Sequence, residues 1–229
     1  MYLTIDMVQI IRKSLNPVIL LFTLFLLTVN CREEDQKIRI EGDIFDPYQQ
    51  IFVAGAEIHL YARLFQGGTF NPSQTIIATT NTDKNGAFSF AIEKIKADQF
   101  KVSIQKANYL PFEKDIDDSD IKAGNIFKPS YSIDPEGWFH LQVTNQYPKD
   151  ANDHIFYKFG NGALSCFQCC SESFVHGYGM SYDAESWCRT KAGVKLKLLW
   201  NVNKTNVSYG DTASFTIPLF DTASYQIIY

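Results

Sequence analysis

Residues 80–90 read Thr80-Asn81-Thr82-Asp83-Lys84-Asn85-Gly86-Ala87-Phe88-Ser89-Phe90, a cluster of turn formers set between two runs of alternating character. Asp83, Asn85 and Gly86 tolerate the backbone angles of a tight hairpin. Beyond the turn, Phe88, Phe90 and Ile92 alternate with Ser89, Ala91 and Glu93, which is the period-two signature of a strand with one face buried. The same pattern recurs on both sides. Ile38 and Ile40 alternate with Lys37, Arg39 and Glu41; Ala56, Ile58 and Leu60 with Glu57, His59 and Tyr61; and Phe100, Val102 and Ile104 with Lys101, Ser103 and Gln105. This part of the chain therefore predicts strands joined by turns.

In order, Gly42-Asp43-Ile44, Val53-Ala54-Gly55-Ala56-Glu57-Ile58-His59-Leu60, the hairpin at 80–90, Phe100-Lys101-Val102-Ser103-Ile104 and Asn108-Tyr109 resemble the carboxypeptidase regulatory-like domain. The resemblance covers residues 36–122 and implies a transthyretin-like, seven-stranded antiparallel β-sandwich. Gly55-Ala56 is expected to let its strand pass close to a neighbour. Phe65-Gln66-Gly67-Gly68-Thr69-Phe70-Asn71-Pro72-Ser73 is an added loop whose two aromatics either pack under it or form a contact surface. Residues 81–86 imitate half of a calcium loop, but the position that needs a glutamate is Ile92 and the flanks read as strands, so the segment reads as a turn. Asp115-Ile116-Asp117-Asp118-Ser119-Asp120 has no loop glycine and reads as a solvated linker.

Residues 128–229 read as a second, cysteine-containing β domain that resembles no family. Phe139, Leu141 and Val143 alternate with polar residues, as do Leu196 and Leu198, and Ser224–Tyr229 supplies a closing strand. The fold class predicted is thus all-β: a transthyretin-like sandwich, then a second β-sandwich-like domain. Cys166, Cys169, Cys170 and Cys188 read as two disulfides pinning a long loop from Gly160 to Ala192. A Cys169–Cys170 bridge would be strained, which favours Cys188 with Cys169 or Cys170. Zinc held by these cysteines with His176, and a redox pair Cys166/Cys169, are the competing readings. Tyr178, Tyr182 and Trp187, on the same loop, are the candidate ligand-contact residues because each joins apolar area to a hydrogen-bonding end.

The N-terminal 30 residues read as an export signal. Arg12 and Lys13 precede an apolar run, Val18–Val29, of about a dozen residues, against roughly 18 or more for a membrane span. Met7 gives a compact basic start and competes with Met1 as initiator. Thr28-Val29-Asn30-Cys31 resembles a bacterial lipobox, departing from it at Thr28 and Asn30, and makes Cys31 the lipidation residue. The acidic tether 31–35, Cys31-Arg32-Glu33-Glu34-Asp35, resembles the surface-export signals of Bacteroidetes lipoproteins. The expected location is the outer membrane, lipid-anchored and facing outward. A net charge of −4 gives no basic field for nucleic acid.

No catalytic motif stands out. None of His59, His140, His154 or His176 has a glutamate three residues later, so the zinc-ligand pair of a metallocarboxypeptidase is missing. The sequence also lacks His-Glu-x-x-His, a Gly-x-Ser-x-Gly elbow and a phosphate loop. Cys188 with His176 or Asp183 is the least implausible nucleophile set. The expected function is a non-catalytic binding or accessory module without cofactor or metal, with a glycan, peptide or envelope protein as partner. A structural envelope component and an uncharacterised enzyme are the alternatives.

Overall fold

The computed structural model describes residues 37–117, 119–122, 124–160 and 173–229. Its first module contains β1 (Lys37–Asp46), β2 (Ile51–Phe52), β3 (Glu57–Gln66), β4 (Thr69–Phe70), β5 (Thr75–Asn81), β6 (Ala87–Glu93), β7 (Ala97–Gln105), β8 (Phe112–Ile116), β9 (Ile126–Phe127) and β10 (Ser130–Ser132). One sheet is built on β1, which pairs antiparallel with β6 and parallel with β9 and β10. The other runs β5-β3-β7-β8. The alternation now has a physical meaning: Ile38, Ile40 and Ile44, with Phe88 and Phe90 from the same sheet, share one core with Ile58, Leu60, Val102 and Ile104 of the other. Each such side chain contributes about 1.5–3 kcal/mol by leaving water.

The decisive hairpin is held by its own aspartate. Asp83 Oδ1 accepts the backbone N–H of Asn85 at 2.8 Å and of Ala87 at 2.9 Å. Gly86 sits at φ +75°, and a Cβ there would lie 2.8 Å from the Cβ of Phe52. Asp83 is therefore spent on the turn. The loop at 65–73 closes as the β3–β4 hairpin, with Phe65 and Phe70 edge-on at 5.1 Å.

Two expectations need correction. The first sandwich is not wholly antiparallel, because β9 and β10 return beside β1 in parallel. The boundary placed between 122 and 128 also moves, to about residue 134. Tyr131 and Ile133 belong to the first core, where Tyr131 lies flat against Phe88 with centroids 6.3 Å apart, so apolar burial holds this segment on the first module.

The second module contains β11 (Glu136–Thr144), β12 (His154–Gly160), β13 (Val175–Tyr178), β14 (Asp183–Lys191), β15 (Lys195–Lys204), β16 (Val207–Thr216) and β17 (Thr222–Ile228). They form sheets β14-β11-β17 and β13-β12-β15-β16. Phe139, Leu141, Val143, Ile155, Phe159, Leu196, Leu198 and Val202 fill the core between them. Here too an early strand and the last one, β11 and β17, pair in parallel. The chain is all-β across the described residues, as two successive sandwiches. Among those residues, no helix is long and apolar enough to cross a membrane.

Candidate functional site

Burial of Phe139, Leu141 and Val143 in the core turns Trp138, His140, Gln142 and Thr144 to the outer face of β11. On β14, burial of Cys188 likewise turns Asp183, Glu185, Trp187 and Arg189 outward. The register places His140 opposite Trp187 and Gln142 opposite Glu185; on the other side, β17 brings Ser224 beside His140 and Gln226 beside Gln142. One open sheet face thus gathers an indole, an imidazole, a carboxylate and neutral hydrogen-bonding groups.

At its centre the indole of Trp187 stacks on the imidazole of His140, centroids 4.0 Å apart and planes 11° from parallel. Both rings are tied to the same oxygen, Glu185 Oε1: His140 Nε2 lies 2.7 Å from it, and Trp187 Nε1 donates to it at 3.2 Å. For both bonds to form, His140 must carry its hydrogen on Nε2. The His140 side chain is only 14% exposed, whereas Trp187 retains 53% of its surface. The arrangement is a flat aromatic surface fixed before any ligand arrives. Such preorganisation removes the cost of ordering an aromatic side chain on binding, about 0.5–1.5 kcal/mol.

The three aromatic candidates are not brought together, and the loop expected between Gly160 and Ala192 is replaced across residues 175–191 by β13 and β14. The reason is strand alternation, which divides neighbouring aromatics between sheets and faces. Tyr178 lies on β13 in the opposite sheet, stacked on His154 at 4.4 Å and 65% exposed. Tyr182 packs against the core; its ring covers Gly177, where a Cβ would come within 2.4 Å. Its contact with the Tyr157 hydroxyl adds to burial in holding that phenol well above its ordinary range. Tyr182 is a packing residue, and Trp187 alone of the three lies on the described face.

Cys188 is fully buried and disulfide-bonded. Its thiol is unavailable as a nucleophile, and His176 lies on the other sheet of the module, so the Cys188/His176 set is not assembled. Cys31, Cys166, Cys169 and Cys170 lie outside the described residues. Among the described residues, no group of three or more His, Cys, Asp or Glu is arranged to hold a metal ion. His176 instead meets His154, Nδ1 to Nε2 at 3.0 Å. Burial first, and the neighbouring His176 second, hold the His154 imidazole below its ordinary range.

His140 and Glu185 were not among the residues picked out from the sequence. Their signal is the alternation of Trp138-His140-Gln142 and Asp183-Glu185-Trp187, legible once 183–191 is read as a strand.

No family model matches the chain, and no curated protein matches it. Among solved structures it is similar to the Bacillus anthracis TIE protein (14% identity, TM-score 0.36), matching 84% of this chain and 34% of that one. It is also similar to a Streptococcal ancillary pilin (13% identity, TM-score 0.30; 84% and 62% covered). The shaft pilin SpaA of Lactobacillus rhamnosus GG aligns at 9% identity and TM-score 0.29, with 84% and 97% covered. The chain thus spans about a third of the TIE protein and three fifths of the ancillary pilin.

Proposed function

We propose that this protein is a non-catalytic lipoprotein, anchored through Cys31 in the outer membrane and facing outward, that binds a glycan on the β14-β11-β17 face. The observation that carries the reading is the Trp187 ring, exposed yet held flat by His140 and Glu185. An immobilised indole presents a C–H-accepting π face, and Gln142, Ser224 and Gln226 on the same face supply uncharged donors and acceptors suited to hydroxyl groups. A lipoprotein N-terminus with several acyl chains would hold such a module stably at the membrane.

The test is retention of the purified full chain, in detergent, on a glycan array and on insoluble polysaccharides. Trp187→Ala is expected to weaken binding about tenfold or more, the equivalent of roughly 1.4 kcal/mol. Tyr147→Ala removes an exposed aromatic elsewhere and is expected to change nothing. Absence of retention on every glycan, or equal retention of the Trp187 variant, rejects the reading. Protease shaving of intact cells, with Cys31→Ala alongside, tests the location separately.

A structural role in an envelope assembly is the second reading, and the direct bonding between the modules favours it. Leu110 N–H donates to Asp134 O and Glu136 N–H to Asn108 O, both at 2.9 Å, giving a spacer little freedom to bend.

A further inference from the structure

At one end of the second module three strand ends converge. Asn145 follows β11, Asp153 precedes β12, and Lys204 closes β15. Lys204 Nζ lies 2.9 Å from Asn145 Oδ1, Asn145 Nδ2 donates to Asp153 Oδ2 at 2.9 Å, and Lys204 Nζ is 3.6 Å from that same Asp153 oxygen. The cluster is dry: the Lys204 side chain is 8% exposed and that of Asp153 fully covered. The Tyr229 ring stands 4.9 Å from the ammonium, and the Tyr147 carbonyl accepts a second hydrogen bond from it.

We propose that Lys204 and Asn145 become joined by an intramolecular amide bond, with Asp153 as the proton carrier. An amine and a carboxamide held in contact away from water react as one molecule, and that proximity is worth several orders of magnitude in rate. The amine must give up a proton to become nucleophilic, and the Asp153 oxygen 3.6 Å from Nζ is the acceptor within reach. Desolvation of Asp153 opposes its ionisation, but hydrogen bonds from Asn145 and from the Lys149 and Asp150 backbone outweigh it and leave the carboxyl below its ordinary range. The resting state is therefore an ion pair. The first proton transfer is uphill, and the bond forms slowly in the folded protein.

The steps balance without an oxidant or a cofactor. A proton passes from Lys204 Nζ to Asp153. The freed electron pair forms a bond to Asn145 Cγ, and the carbonyl electrons move to Oδ1. Asp153 then protonates Nδ2, to which it is already hydrogen-bonded. As the carbonyl re-forms, the Cγ–Nδ2 bond breaks and ammonia departs. It carries away the second Nζ proton as ammonium, and Asp153 ends as the carboxylate it began as. The product ties β11 to β15 across the open end of the sandwich.

The test is mass spectrometry of the full chain isolated from membranes, fresh and after prolonged incubation at neutral pH. Tryptic peptides carrying Asn145 and Lys204 are expected as one joined species, lighter than their sum by one ammonia and uncleaved after Lys204. Lys204→Arg keeps the positive charge and is expected to leave the peptides separate, as is Asp153→Asn. Separate peptides of full mass in aged wild-type protein overturn the proposal. So does ammonia loss confined to the Asn145 peptide, which marks ring closure onto its own backbone. Both outcomes are read on the wild type, so a variant that fails to fold does not blur the decision.

Discussion

Two histidines of the second module are each covered by an aromatic ring, and their second partners set them apart. His140, under Trp187, faces the Glu185 carboxylate; His154, against Tyr178, faces His176. A second imidazole 3.0 Å away disfavours a proton on His154. Burial and His176 lower the folded pKa of His154 from 6.5. Between that lowered value and 6.5 the unfolded chain binds more protons than the folded one, so stability rises with pH through this window and is lost as pH falls through it. Urea midpoints at about pH 5.5 and 7.5 are expected to differ more for the wild type than for His154→Phe; equal differences would remove His154 from the account. Gly86 makes a second demand at this scale. Gly86→Ala places a Cβ at φ +75° and against Phe52, and an expected loss of about 1–3 kcal/mol by denaturant titration follows from the backbone strain and the clash.

Several strands were legible because alternation records which side of the chain meets the core, although β12, with Ile155, Tyr157 and Phe159 buried in turn, was passed over. Ile58 and Leu60, Val102 and Ile104, and Phe139 and Leu141 all lie where their pattern places them. The parallel returns of β10 onto β1 and of β17 onto β11 were not legible, since pairing between distant segments leaves no local periodic trace. The region around 175–191 was obscured for another reason: its cysteines, glycines and aromatics invite a loop reading, although Asp183, Glu185 and Trp187 keep strand spacing. The candidate site was therefore legible in one residue, Trp187, and hidden in the cross-strand register that supplies His140. Phe139, at the middle of β11 and packed 5.6 Å from Phe159 and 5.0 Å from Phe215, anchors this sheet. Phe139→Ala is expected to cost about 3–5 kcal/mol by denaturant titration. It should also release the Trp187 platform, read as a loss of near-ultraviolet indole signal; a smaller cost with an unchanged signal would mean that β14 holds its place without β11.

Across the whole molecule the question is whether the sandwiches unfold together. Arg189 pairs with Glu136 and donates to the Tyr109 carbonyl at 3.0 Å, and the Tyr109 ring meets Phe220 edge-on at 5.6 Å. Tyr109 is itself fixed from the first module, its hydroxyl donating to the buried Asp46 at 3.0 Å. The chain of contacts runs from the turn after β1, through Tyr109, to the strand that carries Trp187. Hydrogen bonds of this kind, involving a charged group, are worth about 1.5–3 kcal/mol each, enough to couple two modules of marginal stability. Calorimetry of the wild type is accordingly expected to show one transition. Arg189→Ala combined with Phe220→Ala removes side chains from the second module only, and is expected to separate that transition into two while each module keeps its strand content by circular dichroism. Two transitions in the wild type would show that the modules unfold independently, and the orientation of the Trp187 face would then not be fixed by the first sandwich. A single transition that persists in the double variant would place the coupling in the backbone bonds at Asn108 and Leu110 instead.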